Sequence, residues 1–136
     1  MQSSNSQEIK IAINSDSDVV MARKSGREMA SKLGFTSTDS TLIATAISEL
    51  ARNILLYAHQ GEIGVTIVEG ADRKGVRVVA RDDGPGIPDV ERALQEGFST
   101  SRSLGMGLSG VRRLVDDFQI ESEPGRGTTV TVKKWK

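Results

Sequence analysis

The apolar positions change period four times along this chain. Ile9, Ile11 and Ile13 alternate with polar residues, and that two-residue period predicts a strand over about 8–14. Ser15 or Asp16 can cap a helix directly after it. Val19, Val20, Ala22, Ala30 and Leu33 make the apolar stripe of that helix, and Gly34 ends it. Thr36-Ser37-Thr38-Asp39 fits a capping box. It opens a second helix, about 37–58, whose broad apolar face (Leu42, Ile43, Ala46, Ile47, Leu50, Ala51, Ile54, Leu55) predicts the central buried helix.

Gly61 breaks the helical pattern. Strands are expected over about 62–69 and 75–82, joined by the turn-like Gly70–Gly75 as an antiparallel hairpin. Gly84–Pro88 reads as a loop, and Asp89 can cap a short helix to about Glu96. Residues 97–104 are small and polar apart from Phe98 and Leu104. A further helix starts near Gly105 or Gly107 and ends near Asp117. Two last strands, about 118–123 and 128–134, flank the turn Pro124-Gly125-Arg126-Gly127. The order β-α-α-β-β-α-α-β-β predicts an α/β two-layer sandwich, with helices on one face of a mixed, mostly antiparallel sheet.

Composition narrows the chemistry. A chain of 136 residues without a dividing linker or repeat is expected to form one domain over residues 1–136. Lys plus Arg equals Asp plus Glu at 18 each, so no net field draws the molecule to nucleic acid or to an anionic membrane. Absence of cysteine removes disulfides, thiolate zinc sites and thiol nucleophiles, and the lone His59 cannot build a multi-histidine metal site. No apolar run reaches spanning length, and Met1–Gln7 lacks an apolar signal core, so a cytoplasmic location is the expectation.

Three stretches carry candidate chemistry. Glu49 and Asn53 lie four residues apart on the second helix, about 40° apart around its axis, and so point the same way. Asn53 could give an amide oxygen to Mg²⁺, and Glu49 could hold a metal-bound water or accept a hydroxyl proton. In isolation the pair reads first as part of the helix's solvated stripe. Asp82-Asp83-Gly84-Pro85-Gly86 ends a strand in a carboxylate and a glycine turn. The carboxylate could accept the exocyclic amine of adenine, and Gly84 and Gly86 would leave room for a purine, although an ordinary Asp-Gly turn is the commoner meaning. Gly105-Met106-Gly107-Leu108 opens a helix with bare backbone, a ready anion site, and Ser99, Thr100 and Arg102 just before it could close over phosphates. Neither a Walker loop nor a dinucleotide fingerprint is present. Thr128, after the Gly125–Gly127 turn, could reach the base or a water beside Asp82. Each signal alone is weak; together, in this order, they are the parts of an ATP site.

On these residues the chain resembles the GHKL ATPase/kinase superfamily. Glu49 and Asn53 match its N box, Asp82, Gly84 and Gly86 its Asp-x-Gly-x-Gly box, Gly105 and Gly107 the glycine pair after the lid, and Gly127-Thr128 its last box. Within it, Asp18–Arg23, the run Ile43–Ile54 and the short lid resemble the stand-alone serine-protein kinases that regulate bacterial sigma factors. The resemblance implies a Bergerat ATP-binding fold that takes ATP and Mg²⁺. Asn53 would ligate the ion, Asp82 would read adenine, and Glu49 would polarise the acceptor hydroxyl. Ile87, Ser99, Thr100, Arg102, Gly105, Met106, Gly107, Leu108 and Thr128 would complete the nucleotide site. It further implies substrates among STAS-domain antagonist and scaffold proteins, and activation of a PP2C-type phosphatase. A sigma-sequestering anti-sigma factor with secondary kinase activity, or a nucleotide-gated adaptor without transfer, would share every ATP motif.

Overall fold

The computed structural model describes residues 8–87 and 107–136. Its elements are β1 (Glu8–Ile13), α1 (Asp16–Leu33), α2 (Ser37–Ala58), β2 (Gly61–Glu69), β3 (Lys74–Asp82), α3 (Gly107–Leu114), β4 (Asp117–Glu123) and β5 (Gly127–Trp135). The short helix expected after Asp89 lies outside the described residues.

Local chemistry sets the helix ends. At the start of α1 the Asp18 carboxylate accepts from the backbone N–H groups of Asn14 and Ser15, at 2.8 and 3.1 Å. Gly34 closes the helix with a left-handed φ of 101°. Thr36 caps α2 by accepting from the Asp39 N–H at 3.1 Å. His59 ends α2 in the left-handed region at φ 70°.

The sheet has five strands in the order β1-β2-β3-β5-β4. All four pairings are antiparallel, which corrects the expectation of a mixed sheet. The reason is the connection from β1 to β2. A strand followed by one helix returns parallel; two helices in series bring the chain back to the opposite end, so β2 runs against β1. Both α1 and α2 cover one face, where Ile11, Ile13, Ile63, Val65, Val76, Val78, Ala80, Val130 and Val132 meet Ile43, Ile47, Leu50 and Ile54 in one buried cluster. Helix α1 approaches α2 closely at Gly26, which leaves no space for a Cβ beside Ile47. Helix α3 packs on the other flank of α2, with Leu108 and Val111 buried. Among the described residues no helix is long and apolar enough to cross a membrane.

Candidate functional site

A small pocket opens where the C-terminal half of α2 meets the ends of β3 and β5. Leu50, Ile54, Ala80, Ile87, Leu108 and Val130 form apolar walls, with Tyr57 beside them. Its polar lining comes from Asn53, Asp82 and Thr128. The structure thus brings together, around one cavity, residues separated by 75 positions of sequence, from Asn53 to Thr128.

Strand register explains this convergence. Asp82, the last residue of β3, pairs directly with Thr128 near the start of β5. Both share the phase of Ala80 and Val130, so both face the helices. The Asp82 Oδ1 accepts from the Gly84 N–H at 2.9 Å, a turn that fixes the carboxylate at the strand end. The glycines of this loop act differently from the sequence expectation. A Cβ on Gly84 would lie 2.6 Å from the Ala58 Cβ, and one on Gly86 would collide with the Glu123 carbonyl. The space they leave is filled by α2 and by the β4–β5 turn, so they hold the loop against the scaffold instead of making room for a purine. The same loop is tied down by the Gly125 N–H donating to the Pro85 carbonyl at 2.8 Å and the Ile87 N–H donating to the Ser122 hydroxyl at 2.7 Å.

On α2, Glu49 is 3% exposed, so it does not belong to a solvated stripe. Its Oε2 accepts from Arg52 Nη1 at 3.0 Å, which supplies the partner that a buried carboxylate needs. Glu49 sits one turn before Asn53 but does not line the pocket itself. Asn53 carries a buried Nδ2 without a hydrogen-bond partner. Oxygen and nitrogen of an amide exchange by a half-turn of the group, so this position can equally present Oδ1. A hard cation fits such a group. No cluster of three or more His, Cys, Asp or Glu suited to a metal exists among the described residues. A metal held by Asn53 would complete its shell with phosphate and water oxygens, the pattern that suits Mg²⁺.

Helix α3 begins at the pocket wall, with Gly107 at φ 55° and Leu108 turned inward. Ser99, Thr100, Arg102, Gly105 and Met106, the remaining expected phosphate contacts, lie outside the described residues. Tyr57 and Ser122 were missed from the sequence. Ser122 had a signal: it comes after Phe118 and Ile120 in the core-facing phase of β4, a polar residue where an apolar one is due.

Comparison with known proteins gives the family. Residues 38–136 fit the family described as histidine kinase-, DNA gyrase B-, and HSP90-like ATPases. The chain belongs to this ATPase family. It is 49% identical over 125 residues to the serine/threonine-protein kinase RsbT of Bacillus subtilis (strain 168), covering 92% of this chain and 94% of the relative. It is 31% identical over 140 residues to an anti-sigma F factor of Caldanaerobacter subterraneus, covering 99% and 96%. The crystal structure of the RsbU and RsbW domains of a Mycobacterium tuberculosis protein shares the fold, with a TM-score of 0.65 at 22% identity over 96% of this chain and 33% of that one. The mycobacterial sensor histidine kinase MprB does so with a TM-score of 0.55 at 16% identity over 95% and 96%.

Proposed function

We propose that this protein is an ATP-dependent serine/threonine-protein kinase, with residues 1–136 acting as one catalytic domain in the cytoplasm. Its substrates on this reading are STAS-domain antagonist and scaffold proteins, and it switches partners to activate a PP2C-type phosphatase in a stress-responsive sigma-factor pathway. The observation that carries the reading is the meeting of Asp82, Thr128 and Asn53 on one apolar pocket, in a chain half identical to a named serine/threonine-protein kinase.

Adenine enters between Ile54, Ile87, Leu108 and Val130, and the Asp82 carboxylate accepts its exocyclic amine. The phosphates run toward the start of α3, where backbone N–H groups meet their charge. Asn53 would hold Mg²⁺, which neutralises charge on the β- and γ-phosphates when bound. The acceptor hydroxyl oxygen then attacks the γ-phosphorus, the bond to the β–γ bridging oxygen breaks, and ADP leaves. The hydroxyl proton passes to the Glu49 carboxylate, which Arg52 orients.

The test is transfer of labelled γ-phosphate from ATP and magnesium to a STAS-domain antagonist. Wild type labels a serine or threonine, whereas Asn53→Ala and Asp82→Asn do not. Undiminished labelling by either variant contradicts the assignment. The relatives named anti-sigma F factor support a second reading, a sigma-binding protein with secondary kinase activity. Capture of a sigma subunit, with no phosphatase retained, would favour it.

A further inference from the structure

The sheet has a second face, turned away from the pocket and the helices. Among the described residues no helix lies on it, since α1 and α2 cover the opposite side and α3 packs beside α2. Strand register places Arg77 of β3 directly opposite Lys133 of β5 there, because Val76, Val78 and Val132 on either side of them are buried toward the helices. Like charges in facing positions destabilise a strand pair. The same cross-strand row runs Glu8, Thr66, Arg77, Lys133, Asp117. Both of its acids are engaged elsewhere. Glu8 Oε2 accepts from the Thr66 hydroxyl at 3.4 Å, and Asp117 Oδ2 accepts from the Trp135 indole at 2.9 Å. Among the described residues neither Arg77 nor Lys133 takes part in an ion pair. Arg77 Nε is buried with no hydrogen-bond partner.

The seam between β3 and β5 continues the pattern. Arg81 shares the phase of Arg77, about 13 Å further along the strand, and is exposed and outside any ion pair of the described residues. Between these cations the floor is low, with Gly64, Val79 and Thr131 side by side. The terminus before β1, Met1–Gln7, carries no acid to answer them. An extended peptide suits such a face badly. Its backbone N–H and C=O groups would meet side chains, whereas a strand edge would pair them. A helix satisfies its own backbone and packs on sheet faces. A second copy, stacked by a two-fold axis through this face, would set one basic seam against the other.

We propose that this seam docks the acidic face of an α-helix belonging to a partner protein. Carboxylates about two turns apart on that helix meet Arg77 and Lys133 at one point and Arg81 at the other. The low floor at Gly64, Val79 and Thr131 lets the helix approach between them. The facing cations destabilise the protein alone and become favourable when a partner's charge covers them. The surface lies on the opposite side of the sheet from the nucleotide pocket, so the inference does not depend on that reading.

The test is calorimetric titration of the full chain with a synthetic alanine-based helix carrying glutamates at i, i+4 and i+8, and with the same helix carrying glutamines. Wild type should bind the glutamate helix about tenfold more tightly or better. Arg77→Gln combined with Lys133→Gln should lose about tenfold in affinity for it. Lys24→Gln combined with Arg27→Gln, which removes two exposed cations of α1, should stay within about twofold of wild type. Equal losses in the two pairs, or equal binding of the two helices, would overturn the inference. Arg77→Thr alone should leave the melting temperature unchanged or raise it by about 1–3 °C, because it separates two facing cations. A fall of more than about 5 °C would show that the pair holds the sheet, and would overturn the inference too. Sedimentation of the chain alone separates the remaining occupant. A monomer, or a dimer that Arg77→Glu leaves intact, agrees with the inference; a dimer that Arg77→Glu splits would assign the face to a second copy and overturn it.

Discussion

The two ends of the β3–β5 pair are built from the same ingredients and do opposite things. At one end Gly75 pairs with Trp135, and the indole fills the space that a Gly75 side chain would take. Arg73 lies 4.2 Å over the ring centroid, the indole N–H donates to Asp117 at 2.9 Å, and the Trp135 backbone N–H donates to Asp116 at 2.7 Å. The indole and backbone N–H groups of Trp135 are both answered by protein. At the other end, about 23 Å away along the strands, Asp82 and Thr128 face a pocket, and Asn53 brings a buried amide atom with no partner. Glycines close both ends, but at the Asp82 end polar groups line a pocket. The contrast separates what holds the sheet from what the sheet is for.

The strongest way to break that contrast is Gly127→Ala. Its φ of 103° is left-handed, and a Cβ would collide with the Asp82 carbonyl and lie 2.9 Å from the Asp83 Cα. Strain and overpacking together should cost about 3 kcal/mol or more in a denaturant melt, and nucleotide binding should fall with stability. Next comes Trp135→Ala. Losing the half-buried indole and its cation–π contact should cost about 2 kcal/mol, read as a lower melting temperature. ATP affinity of the folded protein should not change, and a tenfold loss would show that the two ends are coupled.

Asp82→Asn sharpens the comparison from the other side. The amide keeps a carbonyl for the Gly84 N–H but turns an acceptor into a donor against the adenine amine. ATP affinity should drop about 10- to 100-fold by calorimetry, while the melting temperature stays close to that of wild type. The smallest effect is expected at Arg126→Ala. Its pairing with Glu123 spans 3.5 Å between side chains that are 80% and 69% exposed, so stability should move by less than about 0.5 kcal/mol.

The scaffold was largely legible in the sequence because its periods are clean. β1, α1, α2 and the β2–β3 hairpin fall within a residue or so of their expected limits, since Ser15, Thr36, Gly34 and Gly61 punctuate them. The final helix stops at Leu114, short of Asp117. Leu114 and Val115 continue the apolar pattern, but long-range pairing takes over: the Asp116 N–H donates to the Lys133 carbonyl, and β4 begins at Asp117. In the site, residue type and spacing pointed to Asn53, Asp82 and Thr128, but not to what stands behind them. The burial of Glu49 is a tertiary effect, and the fill around Gly84 and Gly86 comes from Ala58 and from Glu123–Pro124. Such contacts join segments far apart in the chain, and no local pattern encodes them. Ser122 marks the boundary: its phase was readable, its partners were not.

The central claim is that the α2 amide, the β3 carboxylate and the β5 hydroxyl converge on one magnesium-bound adenine nucleotide. A crystal structure with a non-hydrolysable ATP analogue and magnesium tests it most directly. The account predicts the exocyclic amine within hydrogen-bond distance of Asp82 and the Asn53 amide oxygen on the metal. A nucleotide bound elsewhere, or one with its phosphates against Asp82, would contradict it.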